Sequence, residues 1–195
     1  MKLDKPYFKI ADVDTSIVTN ILNSIEEEDW FANDYRKVAA SKAMSFCNSI
    51  PIMHTPKCIF GFTKDKDTCE AIRDIHQYPA YNKLYPSIKP VLDILNKHYT
   101  YNKWAAFLAR LAPNSPIAGH YDLGKFLTLC NRIHLPLQTH PDVKYIIDNI
   151  EYHWKVGELI EFDNTRWHSV ENNSDIPRIH LVINLYNLTE AELNS

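Results

Sequence analysis

The sequence predicts a mainly β protein: an antiparallel barrel or jelly roll with a β-sandwich core and flanking helices on one outer face. Two features lead to this prediction. Beyond Tyr101, short apolar and aromatic runs alternate with turn-like clusters, as in all-β barrels and sandwiches. Before Tyr101, apolar residues recur at helical spacing. We expect one domain over residues 1–195, with a helical buttress and edge strands in 1–100 and a β-core in 101–187.

The part of the chain before Tyr101 is expected to contain two helical regions. Asp14 or Ser16 can cap the first helix, because each lies just before its first apolar residues. The second region contains Pro79, Pro86 and Pro90, and we expect these prolines to interrupt it, with a fresh helix beginning at Pro90. The expected elements are a strand at 7–13, a helix ending near 26–29, β-like pieces at 49–53 and 59–62, and an interrupted helical zone at 66–99.

The part beyond Tyr101 is expected to form the strands of the β-core. Each run is short and rich in apolar, β-branched or aromatic residues, and turn-forming residues separate the runs. The expected runs are 104–112, 126–137, 145–147, 150–156, 157–162, 168–171 and 178–186.

Composition and charge exclude several classes of function. Hydrophobic residues make up 45% and charged residues 23%, as in an ordinary globular protein. The formal net charge of −3 offers no basic field for a phosphate backbone, so nucleic acid is not an expected partner. With only four glycines, neither GxGxxG nor GxxxxGK[ST] occurs, which argues against nucleotide chemistry built on those loops.

Targeting and cysteine signals indicate a cytoplasmic protein with no membrane partner. The chain has no apolar stretch of 18 residues, and its N-terminus, MKLDKPYFKI, lacks the apolar core of a signal peptide. Cys47, Cys58, Cys69 and Cys130 form no CxxC pair, so we expect buried free thiols. The sequence carries no signal for an oligomeric state.

Two histidines and an aspartate form a candidate metal site. On an extended segment, His120 and Asp122 project from the same face and can converge on one point. His168 follows 48 residues after His120. Considered separately, His120 and Asp122 can simply form a hydrogen bond at the surface, and His168 can be a structural residue. Together, two imidazoles and one carboxylate occupy one face of an octahedron and leave three positions open, as expected of Fe(II) oxygenases that take an oxoacid and dioxygen.

Basic residues near this site are candidates for binding the oxoacid. Arg178 lies ten residues after His168, across the turn at 172–177 and on the neighbouring strand. It can form a two-pronged salt bridge with the distal carboxylate of the oxoacid. Arg132 and His134 share one face of a strand and can reach a small dianion at the metal. Alternatively, both lie in the barrel interior and pair with local carboxylates such as Asp163.

The sequence resembles the aspartyl/asparaginyl β-hydroxylase and bacterial proline hydroxylase group of Fe(II)/2-oxoglutarate oxygenases. The resemblance covers about residues 104–186. It is carried, in order, by RLAPNSPI at 110–117, HYD at 120–122, NRIHLPL at 131–137, GELIEFDN at 157–164, WHSVEN at 167–172 and PRIHL at 177–181.

The resemblance implies a double-stranded β-helix, which is a cupin-like jelly roll, forming a single oxygenase domain. It implies Fe(II) at His120, Asp122 and His168. It also implies 2-oxoglutarate as co-substrate, held at one end by Arg178, with Arg132 and His134 at the metal-proximal carboxylate. Such a dioxygenase hydroxylates an amino acid or a side chain of a peptide or protein, without a catalytic acid–base pair.

The chain departs from both branches of this group. The animal aspartyl β-hydroxylases have glycine where this chain has Asp122, so the triad is closer to the proline hydroxylases. Only nine residues follow Tyr186, so we expect no counterpart of the substrate-covering C-terminal region of the longer proline enzymes, and this expectation disfavours a proline substrate.

Two other classes of function fit parts of the pattern. A non-catalytic cupin-like binding module keeps the barrel but does not need both the triad and Arg178. A zinc-type hydrolase or isomerase on the same barrel uses the same ligands without an oxoacid. The arginine ten residues after His168 favours the oxygenase over both.

Several residues near the motifs have no assigned role. His140 is expected in an exposed loop, and His153 and His180 are expected to be structural residues on strands. Tyr121 and Trp167 can line a pocket or pack in the core. Arg110 can meet a substrate carboxylate or form a structural salt bridge.

Overall fold

The computed structural model describes residues 3–32, 45–55 and 69–194, and its regular elements are mostly β-strands. The strands are β1 (Tyr7–Asp12), β2 (Cys47–His54), β3 (His76–Gln77), β4 (Lys103–Leu111), β5 (Ser115–His120), β6 (Cys130–Gln138), β7 (Val143–Ile147), β8 (Ile150–Tyr152), β9 (Glu158–Phe162), β10 (His168–Asn172) and β11 (Arg178–Tyr186). The helices are α1 (Thr15–Asn23), α2 (Glu70–Arg73), α3 (Tyr81–Leu95), α4 (Lys125–Thr128) and α5 (Glu190–Asn194), with a 3-10 turn at Glu27–Phe31.

The strands form two antiparallel sheets. The larger sheet has the order β1-β9-β6-β11-β4-β2-β3, and the smaller has the order β5-β10-β7-β8. Buried apolar side chains from both sheets, including Leu111, Ile117, Tyr145 and Phe162, pack into one cluster between them. Two facing antiparallel sheets with non-sequential strand order are a jelly roll. The mainly β fold class predicted from the sequence is therefore confirmed.

The two long helices cover the outer face of the larger sheet. Val18 and Ile21 of α1 and Leu84 and Ile88 of α3 pack in one cluster with outward-facing residues of β6 and β11, such as Leu181. Asp14 caps α1, since its carboxylate accepts a hydrogen bond of 2.7 Å from the backbone N–H of Ser16. The helices thus lie on one outer face, as the sequence predicts.

Helix α3 corrects the expectation that prolines interrupt the second helical zone. The helix runs from Tyr81 to Leu95 through Pro86 and Pro90. Pro86 is exposed and Pro90 is half-buried, so the carbonyls that lose an N–H partner lie toward water. The opposite side of the helix buries five apolar residues, and this packing holds it continuous: Leu84, Ile88, Val91, Leu92 and Leu95.

Other element boundaries also differ from the prediction. The run at 126–137 divides into α4 and β6, the segment at 150–156 is a strand only as far as Tyr152, and α1 ends before the 3-10 turn that holds the acidic run.

Cys47, Cys69 and Cys130 are buried free thiols, as predicted. Cys58 and the β-like piece at 59–62 lie outside the described residues. Among the described helices, none has the length and apolar character needed to cross a bilayer.

Candidate metal centre

The smaller sheet brings the three predicted ligands together. His120 is the last residue of β5, His168 is the first of β10, and the two are directly paired in the register of these strands. Asp122 follows β5 by two residues. One ligand atom from each side chain lies within 4.8 Å of the other two, and the ring centroids of His120 and His168 are 4.3 Å apart. This spacing suits a single metal ion.

Backbone hydrogen bonds orient both imidazoles in the same way. Nδ1 of His120 lies 2.8 Å from the carbonyl oxygen of Ala118, and Nδ1 of His168 lies 2.8 Å from that of Arg166. A carbonyl oxygen only accepts, so each Nδ1 carries a proton, and Nε2 is the nitrogen of each ring that can coordinate a metal. Nε2 of His120 lies 3.7 Å from Oδ1 of Asp122. Both imidazoles are therefore oriented with Nε2 available to a metal ion.

Asp122 is held in its ionised form, although its side chain is buried. The Asn164 amide donates a 2.9 Å hydrogen bond to Oδ2, and Nη1 of Arg132 lies 3.5 Å from the same oxygen. Burial raises the pKa of this carboxyl, but Arg132, His168, the Asn164 hydrogen bond and His120 outweigh it, so the pKa is lowered. Burial conversely lowers the pKa of His168. A carboxylate and neutral imidazoles are the protonation states that bind a metal.

A cavity lined mostly by buried residues connects this cluster to the basic residues predicted for an oxoacid. Arg132 and His134 on β6 and Arg178 on β11 line it together with the three ligands. Strands β10 and β11 belong to opposite sheets. Arg178 therefore faces His168 across the barrel and does not lie beside it on a hydrogen-bonded strand. The expected neighbouring-strand placement is therefore wrong, while the convergence of these residues is present.

Arg178 is the best-placed group for an anionic ligand. It is 3% exposed, its Nη1 donates to the hydroxyl of Tyr145, and its Nε has no hydrogen-bond partner among the described residues. A buried guanidinium with an unpaired N–H, inside a cavity, fits a carboxylate. The alternative expectation of an interior pairing with a local carboxylate holds for Arg132 with a different partner: Arg132 is buried beside Asp122, whereas Asp163 accepts a hydrogen bond from Thr165 and forms an ion pair with Arg166.

Two residues of the site were not predicted from the sequence. Asn164 donates a hydrogen bond to Asp122, the predicted ligand, and another to the Leu127 carbonyl at 2.8 Å. Tyr145 meets Arg178 from the opposite sheet. Buried and less buried residues alternate along β7, and the buried ones are Val143, Tyr145 and Ile147. This pattern identifies Tyr145 as a polar side chain in the interior. No sequence pattern pairs it with Arg178.

The remaining candidate residues have structural or surface roles. Arg110 lies outside the barrel, where its Nη1 pairs with Glu27 at 2.7 Å and its guanidinium stacks on Trp30. The salt-bridge alternative is thus what the structure has. His140 lies beside Asp142 in a loop, and His153 lies after β8 rather than on it, with Nδ1 donating to the Val143 carbonyl at 3.0 Å.

An aromatic pair stands beside the ligands at the surface. Tyr121 is 53% and Trp167 40% exposed, and their rings meet edge-on at 5.0 Å, so neither packs in the core. A Cβ on Gly119 would lie 2.4 Å from Cζ2 of Trp167, so only glycine admits the indole at this position.

Comparison with known proteins places the chain in a family. Residues 67–187, more than half of the chain, match the family model described as aspartyl/asparaginyl beta-hydroxylase. No curated protein matches the sequence significantly.

Among solved structures, a Pseudomonas putida prolyl-4-hydroxylase is similar with a TM-score of 0.56 at 12% identity, covering 95% of both chains. A viral collagen prolyl hydroxylase from Paramecium bursaria Chlorella virus-1, solved as a 2OG complex, has a TM-score of 0.54 at 14% identity. This match covers 95% of this chain and 98% of that one. At these identities, the likeness concerns the fold.

The fold and the family match define a hydroxylase built on a double-stranded β-helix. Within that class, this chain belongs to the aspartyl/asparaginyl β-hydroxylase family. The resemblance inferred from the sequence motifs is confirmed.

Proposed function

We propose that the protein is an Fe(II)- and 2-oxoglutarate-dependent dioxygenase that hydroxylates an amino acid or a side chain of a peptide or protein. The observation that carries the proposal is the single cavity that joins two oriented imidazoles and a carboxylate to a buried, incompletely paired Arg178. When bound, Fe(II) with 2-oxoglutarate and dioxygen supplies the oxidation that inserts one oxygen atom into a C–H bond and yields succinate and CO2.

The residues present fit both groups. His120, Asp122 and His168 would hold Fe(II) through two nitrogen atoms and one carboxylate oxygen, a set that also accepts zinc, manganese or cobalt. Arg178 would bind the distal carboxylate of 2-oxoglutarate, while Arg132 and His134 would lie at the metal-proximal end. Two guanidinium groups and a divalent ion outweigh the single charge of Asp122, so the cavity favours a dianion.

The protein's own contribution is binding, orientation and exclusion of water. Tyr145 and Asn164 hold Arg178 and Asp122 in place, and the cavity lining includes the apolar side chains Ile117, Phe162 and Val170. In such a low-dielectric setting, charge-assisted hydrogen bonds are stronger than in water. Because no acid–base pair is required, the residues named above are binding residues rather than proton-transfer groups.

Arg178 also separates the proposal from its competitors. A binding module without catalysis has no need of a metal triad opposite a buried arginine, and a zinc-type hydrolase or isomerase has no need of an arginine to hold an oxoacid. In either case, a buried guanidinium whose Nε–H has no partner among the described residues would lower stability without a compensating function.

Oxygen-dependent release of succinate from 2-oxoglutarate tests the proposal. The iron-loaded protein is incubated with 2-oxoglutarate and a panel of amino acids and peptides, in air and under nitrogen. We expect succinate and CO2 in equal amounts, in air only, with turnover stimulated by one class of substrate. Iron-loaded protein that binds 2-oxoglutarate but never releases succinate in air would contradict the proposed reaction.

A further inference from the structure

The Tyr145 hydroxyl and the Arg178 guanidinium meet inside the metal cavity. Tyr145 lies on β7 of the smaller sheet and Arg178 on β11 of the larger sheet, and both line the cavity. Nη1 of Arg178 donates a hydrogen bond to the Tyr145 oxygen. Each sheet therefore contributes one polar group to the same part of the cavity wall.

The phenol of Tyr145 keeps its proton in the folded protein. Its side chain is buried, and burial raises its pKa although the Arg178 charge and hydrogen bond act in the opposite direction. A protonated phenol accepts through its oxygen and has one O–H to donate. Because a guanidinium has no acceptor atom, the Tyr145 proton cannot be donated to Arg178.

No described residue is well placed to accept the Tyr145 proton. The nearest nitrogens belong to His180, which is fully buried and does not line the cavity. The Tyr145 oxygen lies 3.2 Å from Nδ1 and 3.3 Å from Nε2 of this ring. An oxygen almost equidistant from both nitrogens lies over the ring face, whereas a lone pair on either nitrogen lies in the ring plane. The buried O–H is therefore left without an aligned acceptor in the described part of the chain, which lowers stability unless a ligand accepts from it.

Arg178 offers a second unused donor to the same cavity. Its Nε–H has no hydrogen-bond partner among the described residues. One cationic and one neutral donor side by side complement a carboxylate, whose two oxygens accept several hydrogen bonds. Because the Tyr145 oxygen is in hydrogen-bond contact with the guanidinium, a carboxylate bound to Arg178 lies within reach of the phenol.

We propose that the Tyr145 hydroxyl donates a hydrogen bond to the distal carboxylate of the oxoacid, beside the charged contact from Arg178. The inference rests on the proposed function, because it assigns a further binding residue to the same co-substrate site. It also makes Tyr145 a specificity residue. An oxoacid of equal chain length that ends in a methyl group leaves both donors unpaired, so the site selects a dicarboxylate.

Binding of two oxoacids measures the contribution of the hydroxyl. Iron-loaded protein is titrated anaerobically, by calorimetry, with 2-oxoglutarate and with 2-oxopentanoate, which has a methyl group in place of the distal carboxylate. Tyr145→Phe keeps the ring that stacks on Trp154 but removes the donor. It should weaken 2-oxoglutarate binding about ten- to a hundredfold, as expected for a hydrogen bond to a charged group, and leave 2-oxopentanoate binding nearly unchanged.

The neighbouring strand provides a matched control. Tyr152 of β8 is the direct partner of Tyr145 in the strand register, but it does not line the cavity. Tyr152→Phe should therefore bind both oxoacids as the wild-type protein does.

The phenol signal of the wild-type protein separates a direct contact from a role in holding Arg178. Zinc-loaded protein, which is diamagnetic, is labelled with carbon-13 at the phenol carbon of tyrosine, and the Tyr145 signal is identified by its loss in Tyr145→Phe. Saturating 2-oxoglutarate should move this signal downfield, because the O–H then donates to an anion. 2-Oxopentanoate should not produce that shift.

The possible failures can be told apart. Unchanged 2-oxoglutarate affinity in folded, iron-loaded Tyr145→Phe would overturn the inference, as would an equal loss for both oxoacids or an unmoved Tyr145 signal. If the wild-type protein does not prefer 2-oxoglutarate to 2-oxopentanoate, the proposed function and the inference fail together. If binding depends on Tyr145 as expected but no succinate forms in air, the inference holds and only the proposed reaction fails.

Discussion

The two faces of strands β6 and β11 differ in chemistry although both are buried. The outer face carries aliphatic residues that pack under α1 and α3, namely Ile133, Leu135, Leu181, Ile183 and Leu185. The inner face carries polar and charged residues that look into the barrel, namely Arg132, His134, Arg178, His180 and Asn184. The strict two-residue period of a strand separates the two sets.

The difference shows how one pair of strands serves two purposes. Each buried aliphatic side chain on the outer face contributes about 1.5–3 kcal/mol of stability. The inner face buries two guanidinium groups and two histidines, which lowers stability unless each finds a partner. The outer face therefore stabilises the sheet, and the inner face carries the residues that we propose bind a ligand. Substitutions on the two faces should have separable effects.

Loss of a metal ligand should give the largest effect on the inner side of the barrel. His168→Ala removes one of three ligand atoms, so metal affinity should fall by more than the roughly 10–100-fold cost of losing an outer-shell partner. Metal content after dialysis and elemental analysis measures this. His140→Ala, in an exposed loop, is the control, and full metal content in His168→Ala would show that the cluster is not the site.

Truncation on the outer face should affect stability alone. Leu181→Ala removes a fully buried side chain and should lower the free energy of unfolding by about 2–5 kcal/mol. Urea unfolding measures the loss. In the folded variant, binding of 2-oxoglutarate should match wild type, and a large change in affinity would show that the two faces are coupled.

Removal of a residue that supports a ligand should have an intermediate effect. Asn164→Ala deletes the 2.9 Å hydrogen bond to Asp122, and metal affinity should fall about 10–100-fold. A metal-chelator competition titration gives the value. Asn173→Ala, whose amide bonds Glu171 at the surface, should leave affinity unchanged. Equal affinities in both variants would assign Asn164 a purely structural role.

The inner face should also make stability depend on pH. The folded-state pKa of His180 lies well below its unfolded value of about 6.5, so below that pH the unfolded chain binds more protons. Stability of the metal-free protein should fall by up to about 1.4 kcal/mol per pH unit from this residue as pH drops below 6.5. Urea unfolding at pH 7 and pH 5 tests this, with His180→Asn as the variant that should reduce the dependence. Equal slopes in both proteins would contradict it.

The local parts of this picture were predictable from the sequence. Strand alternation puts Arg132 and His134 on one face of β6, because a strand period depends only on neighbouring residues. The two-residue spacing of His120 and Asp122 was likewise enough to expect them side by side, although β5 ends at His120. The continuity of α3 through Pro86 and Pro90 was not predicted, since tertiary packing outweighs the local penalty. Tyr145 and Arg178 are 33 residues apart in sequence and meet because the two sheets face each other. Strand periodicity does not predict which residues of two facing sheets come into contact.

The central claim is that one cavity holds a metal at one end and a dicarboxylate at Arg178. Anaerobic titration of 2-oxoglutarate into iron-loaded Arg178→Ala tests it most directly. Removing one partner of a buried charge pair costs about 3–5 kcal/mol, so binding should weaken more than a hundredfold while iron content is kept. Arg178→Lys should recover only part of the affinity, because an ammonium lacks the planar fork. Arg110→Ala, which removes a guanidinium from the outer side, should bind as wild type. Unchanged affinity in folded, iron-loaded Arg178→Ala would contradict the account.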